Sequence, residues 1–236
     1  MYSKTTAAAL LAALLILTTL LNGCKSNAPA IEPTETPTVS EMSTNESGQG
    51  ANKELEEPNM WKLIKTESKI GDNPAIEVYQ MHQNEFSFLG IKNIVTASSN
   101  YGNIWDNFFK AGGYDEINPY AVDPKPINVN YTNSAGEKIY FQGLMVGNVD
   151  RVPDGYTLEQ FPASDFLVVT HEWSTDKVAL NFGIGDCGKY AKTVQIPEGY
   201  VRYDGPGSPI TIIERENSDT PDGSRYEWWV PIKKVD

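Results

Sequence analysis

A carboxylate and an indole stand two residues apart near the end of the chain: Glu227 and Trp229, within a stretch from Arg225 to Ile232 that alternates as a β-strand. With a side-chain period of two, Trp228, Val230 and Ile232 share one face, while Glu227, Trp229 and Pro231 take the other. A carboxylate among aromatic walls suits a lipophilic cation. Ring faces attract the charge, and a desolvated carboxylate supplies a countercharge that strengthens as the local dielectric falls. Neutral amphiphiles would use the walls alone. Beside a bound electrophile, Glu227 is also a candidate general base. The plainer alternatives are an edge salt bridge for Glu227 and ordinary packing for Trp229. The stretch Ser208 to Glu214 offers a second acid, with Glu214 expected on the face of Ile210 and Ile212.

Other catalytic constellations fail on inventory. His82 and His171 are the two histidines, and the cysteines are Cys24 and Cys187, so a His/Cys zinc site does not assemble and no metal is expected. Gly183, Gly185 and Gly188 spell a dinucleotide fingerprint, but no alternating β-α-β-α pattern surrounds it. No Gly-x-Ser-x-Gly elbow occurs, and no cofactor is expected. A formal net charge of -12 lacks the basic footprint of nucleic-acid binding. Amphipathic or cationic small molecules, or protein segments, remain as partners.

The N-terminus carries Lys4, an apolar run from Ala7 to Leu21, and then Leu21-Asn22-Gly23-Cys24. The run is shorter than the roughly 20 residues of a spanning helix and has the anatomy of an export signal. Its last four residues resemble the lipobox of bacterial lipoproteins, which implies that Cys24 becomes the acylated terminus and holds the chain to a cell or outer membrane on the extracytoplasmic side. Residues 1–23 are then a signal peptide. Residues 24–58, rich in Pro, Thr, Ser and Glu, are a tether too poor in large apolar groups to offset their ordering entropy. Residues 59–236 are the folded domain.

The elements that must position Glu227 and Trp229 follow from periodicity. Ala75 to Tyr79 and Phe86 to Ile91 read as strands, and Ser98 is the expected cap of a helix with Tyr101, Ile104, Trp105 and Phe108 at helical spacing, stopped by Gly112 and Gly113. Strands Ile127 to Tyr131 and Ile139 to Val149 flank a turn through Asn133 and Gly136. A second block repeats the layout: strand Phe166 to Thr170, a weak helical stretch from Ser174, strand Ser208 to Glu214 and strand Arg225 to Ile232. The three glycines make that second helix short or distorted, each weakening it by about 1 kcal/mol relative to alanine.

At this point the residues resemble a family. Phe88-Leu89-Gly90-Ile91 leading to the Ile104-Trp105-x-x-Phe108 helix, the strand Phe141 to Gly147 running into Val152-Pro153-Asp154-Gly155, and the step Phe161-Pro162-Ala163-Ser164-Asp165-Phe166 are similar to the GyrI-like, AraC-type effector-binding domain. The closing Tyr226-Glu227-Trp228-Trp229-Val230-Pro231-Ile232-Lys233-Lys234 is the most distinctive match, and the likeness spans residues 75 to 236. It implies an α+β fold of two β-α-β-β units, forming a curved, mostly antiparallel sheet with two helices on one face and a ligand groove on the other. It also implies small-molecule binding, with hydrolysis of electrophilic compounds or reception of a protein segment as alternatives. The candidate ligand contacts are Glu227, Trp229, Glu214, Phe166 and Tyr140.

Overall fold

The computed structural model of the chain describes residues 61–67, 73–174, 181–220 and 223–235. The expected signal peptide, Cys24, the tether and the helical stretch beginning at Thr175 lie outside the described residues. Ser174 itself forms an isolated bridge to Ser224.

Local chemistry sets the first unit. Strand β3 (Phe86–Val95) leads to helix α1 (Tyr101–Lys110). The cap of α1 is Asn100, not Ser98: its side chain accepts from the Asn103 N–H, while Ser98 turns to Thr96. Gly112 and Gly113 adopt φ of 113° and 60°, a left-handed region closed to most side chains, and so end α1. A short helix not foreseen from the sequence, α2 (Gly113–Ile117), follows directly. Strands β4 (Ala121–Thr132) and β5 (Lys138–Val146) form a hairpin whose turn is closed by the Asn133 side chain, which accepts from the N–H groups of Ala135 and Glu137.

The second unit repeats this order. Strand β7 (Ser164–His171) is followed after the undescribed stretch by a π-type turn (Gly183–Cys187) and helix α3 (Gly188–Thr193). Strands β9 (Ile212–Thr220) and β10 (Gly223–Lys234) complete it, with short β8 (Tyr200–Arg202) beside β10. Three further strands flank this order: β1 (Lys62–Thr66) opens the described chain, and β2 (Ile76–Gln83) and β6 (Thr157–Phe161) each precede the first strand of a unit. Of these, β1 and β6 carry no pattern the sequence reading recognised.

The described residues thus form an α+β fold, an open antiparallel sheet in the order β1-β2-β7-β10-β9-β4-β5-β3-β6. The units meet where β4 pairs β9, with Asn128 opposite Glu214 and Val129 opposite Ile213. The outer strands are exchanged: β2 precedes β3 but pairs with β7, and β6 precedes β7 but pairs with β3. Only two residues join β2 to β3, and two join β6 to β7. Such links span roughly 11 Å at most, so strands far apart in sheet order must approach one another, and the sheet curls.

Packing follows the curl. On the helix-free, inner face one apolar cluster draws Met81, Phe88, Val129, Phe141, Phe161, Phe166 and Trp229 from both units. On the outer face there are two clusters, one under α1 and α2 with Leu89, Phe108 and Leu144, the other under α3 with Leu167, Val169, Ala191 and Val230. Gly90 and Gly143 sit opposite each other where β3 meets β5; a methyl on either would collide with the partner backbone, so this close approach needs glycine twice.

Candidate functional site

Alternation along β10 carries Arg225, Glu227 and Trp229 to the inner face, and the register sets Glu227 against Arg215, and Trp229 against Ile213, on β9. Glu227 is 3% exposed. Its Oε1 accepts from Asn217 Nδ2 and its Oε2 from Trp229 Nε1 at 2.8 Å. Arg215 Nη1 lies 4.0 Å from Oε2, and Arg225 Nε lies 3.9 Å from Oε1. A carboxylate that was expected to seek a cation already has two.

Each arginine is itself held. Arg215 pairs with Asp123 and stacks over Trp229 at 5.6 Å. Arg225 donates to Thr170 Oγ1 at 2.9 Å, approaches Glu77 at 3.9 Å, and lies between the rings of Trp61, Tyr79 and Trp173 at 5.1, 5.2 and 5.4 Å. That is an aromatic cage for a cation, filled by the chain's own side chain. Above it a cleft of about 530 Å³ opens on the inner face, lined by Trp61, Met81, Phe86, Asp123, Met145, Arg215 and Trp229. Phe166 packs against Trp229 at 5.7 Å and is fully buried below the cleft.

Glu214 and Tyr140 stand on the opposite face. Ile210 belongs to the inner cluster and Ile212 to the outer one, so Glu214 shares the face of Ile212 alone, against the expectation. The reason is local: β9 starts at Ile212, and before it Ser208 Oγ bonds to Ile210 O at 2.5 Å in a turn, so regular alternation begins four residues later than the pattern suggested. Glu214 lies between the two helix-covered clusters. It accepts from Asn130 Nδ2 at 3.2 Å and from Tyr226 Oη at 3.3 Å, and its cross-strand neighbour is Asn128.

No ion pair to Glu214 forms among the described residues. Loss of hydration pushes its carboxyl above the usual carboxylate range, and the bonds from Asn130, Tyr226 and Asn128 only partly oppose this. Tyr140 and Tyr226 are pushed up for the same first reason, burial, and then by the nearby Glu214. Tyr101 meets Tyr140 edge-on at 5.2 Å. The buried Tyr114 Oη, Asn128 Oδ1 and Gln142 Nε2 have no hydrogen-bond partner. An acid, several phenols and three unsatisfied polar atoms thus line one seam; on the inner face the charges are matched in pairs, with Arg215 Nε and Asn217 Oδ1 left without a hydrogen-bond partner.

The five candidates therefore divide, Glu227, Trp229 and Phe166 inside and Glu214 and Tyr140 outside. Sequence reasoning missed Arg215, Arg225, Asp123 and Trp61. Period-two alternation would have placed both arginines on the inner face, but the register that sets Arg215 against Glu227 has no local signal.

No family model matches the chain, and no curated protein matches it. Among solved structures, SAV2435 bound to tetraphenylphosphonium is similar with a TM-score of 0.51 at 13% identity, over 66% of this chain and 94% of that one. The EcmrR C-terminal domain gives a TM-score of 0.41 at 13% identity over 68% and 99%, and an integron cassette protein from the Vibrio cholerae mobile metagenome gives 0.42 at 10% over 66% and 95%. The likeness to SAV2435 is one of fold.

Proposed function

We propose that the chain is a small-molecule-binding protein for amphipathic cations, held in the seam between the helix-covered clusters with Glu214 as countercharge. The observation that carries this reading is the contrast between two acids: Glu227 is flanked by two arginines, whereas Glu214 meets only neutral donors among the described residues. An added cation gains little at Glu227. At Glu214 it supplies the missing charge, and Tyr140, Tyr226 and Tyr101 offer ring faces and edges around it. The shared fold supports the reading, since SAV2435 was solved with tetraphenylphosphonium, a lipophilic cation.

The hydrolase alternative asks Glu227 to act as general base. Glu227 is 3% exposed, with both oxygens accepting hydrogen bonds, from Asn217 and Trp229, and a guanidinium near each, an arrangement that stabilises the carboxylate and weakens it as a base. Binding is the better-supported activity. The place of action rests on the sequence: export, acylation at Cys24 and a tether put the domain outside the cytoplasm, on a membrane.

The test is calorimetric titration of tetraphenylphosphonium into the full chain in zwitterionic nanodiscs, with empty discs subtracted. Glu214→Gln is expected to weaken binding at least tenfold at neutral pH. No binding, or equal affinity in the two proteins, overturns the proposal. Persistence of fatty-acid labelling in Cys24→Ser overturns the anchor.

A further inference from the structure

We infer that cation binding in the seam is an exchange: the entering cation displaces a proton from Glu214. This rests on the proposed function and deepens it. The free site holds a carboxyl with no basic partner among the described residues, beside an asparagine whose buried Oδ1 has no donor.

The groups around Glu214 come from six elements. On its own strand β9 the nearest same-face titratable residue is Glu216, another acid. From β4 come Asn128 and Asn130, from β10 Tyr226, from β5 Tyr140, and from the helices Tyr101 and Tyr114. None is basic. Arg215 and Arg225, the nearest guanidiniums in the strands, are turned to the inner face by alternation. An ionised carboxylate in such a place loses hydration with no opposite charge among the described residues to offset it, whereas the protonated acid needs no countercharge. Neutralisation wins.

The proton has a place to point. Asn128 is a direct cross-strand neighbour of Glu214 on the same face; its side-chain amide donates to the Glu214 carboxylate, and its Oδ1 is buried without a donor, so turning the amide over presents that acceptor to a protonated Glu214. A carboxyl O–H is a donor that a carboxylate is not. Protonated Glu214 can then satisfy Asn128 Oδ1 while accepting from Asn130 and Tyr226. When a monovalent cation arrives, the carboxyl O–H bond breaks, the proton leaves to solvent buffer, and the carboxylate keeps the electron pair. The site is neutral before and after, because one positive charge has replaced another. Raised titration of the Glu214 carboxyl, from burial, agrees with this.

The exchange is read by titrating tetraphenylphosphonium into the full chain in nanodiscs at pH 5, 6 and 7, in buffers of different ionisation enthalpy. Wild type is expected to release up to one proton per ligand at the lower pH values, and its apparent affinity to rise by up to tenfold per pH unit across that window. Glu214→Gln is expected to show no release and a flat pH profile. Triphenylphosphine oxide, neutral and of similar shape, should bind without release. Binding of tetraphenylphosphonium that depends on Glu214 yet shows no buffer dependence and no pH dependence overturns the exchange and leaves the proposed function standing. Absence of binding overturns both.

Discussion

The indole N–H of Trp229 donates to the carboxylate of Glu227, two residues earlier on the same strand face, at 2.8 Å. The contact turns a possible ligand wall and a possible ligand anion toward each other. With Asn217 on the other oxygen and a guanidinium near each, Glu227 is the hub of a buried ionic cluster that joins β9 to β10.

Glu227→Gln keeps the shape and removes the charge, which leaves Arg215 and Arg225 nearly buried beside an amide. Removing one partner of a buried ion pair costs about 3–5 kcal/mol. Urea unfolding is expected to show a loss of that order, softened by Asp123 and Glu77, which still face the arginines. Affinity of the folded protein for tetraphenylphosphonium should change by less than about threefold. A variant as stable as wild type would dismiss the hub.

Stability should carry two opposed pH slopes. His171 is buried, accepts from the Tyr226 N–H through Nε2 and bonds the Glu172 carbonyl through Nδ1. Burial lowers it below the ordinary 6.5, so its contribution is complete above that value and is lost as pH falls through the folded-state value. Glu214 is raised above the ordinary 4.5, so its contribution is complete below 4.5 and is lost as pH rises through the folded-state value. Melting curves of wild type and Glu214→Gln should diverge in the variant's favour as pH rises. Proton resonances of the His171 ring should titrate below 6.5. A constant difference between the melting curves would refute the Glu214 assignment.

The fingerprint glycines test packing against helix propensity. A methyl at Gly188 would lie 2.7 Å from Trp228 Cζ2, and one at Gly183 would lie 2.5 Å from Tyr226 Cβ and 2.8 Å from His171 Nε2. At Gly185 nothing stands within 4 Å. Gly188→Ala and Gly183→Ala should each destabilise by about 1–3 kcal/mol, the usual penalty for overpacking, whereas Gly185→Ala should stabilise by up to about 1 kcal/mol. Thermal unfolding of the three variants decides it. Equal effects at all three positions would mean that packing on β10 is not what selects glycine.

Strand alternation in β10 was legible in the sequence: Trp228, Val230 and Ile232 pack beneath α3, and Glu227 and Trp229 face the other way. So was the twofold β-α-β-β order, because each element has its own period and its own breakers. Which side chain meets which was not legible. Glu227 reads as a free acid until Arg215 is found opposite it, and that register depends on where β9 begins, a matter settled by the turn at Ser208. Trp61 was invisible for the same reason: one aromatic beyond a polar stretch gives no period, and its tilted contact with Tyr79 and edge-on contact with Trp229 exist only once distant strands meet. The three glycines match a dinucleotide fingerprint by spacing, which the surrounding pattern already excluded, but spacing could not show that Gly188 yields to the Trp228 indole and Gly183 to Tyr226 and His171.

The exchanged outer strands make the internal duplication irreversible. Severing the chain between β5 and β6 would give a first fragment whose β2 belongs beside β7 of the second, and a second fragment whose β6 belongs beside β3 of the first. Neither fragment contains a closed half. An ancestral single repeat with this topology could have completed its sheet only by lending a strand to a copy of itself, as a strand-swapped homodimer, and fusion of two copies would then have converted a concentration-dependent assembly into a chain that closes on itself. The two fragments, expressed separately, should remain unfolded alone and regain structure when mixed.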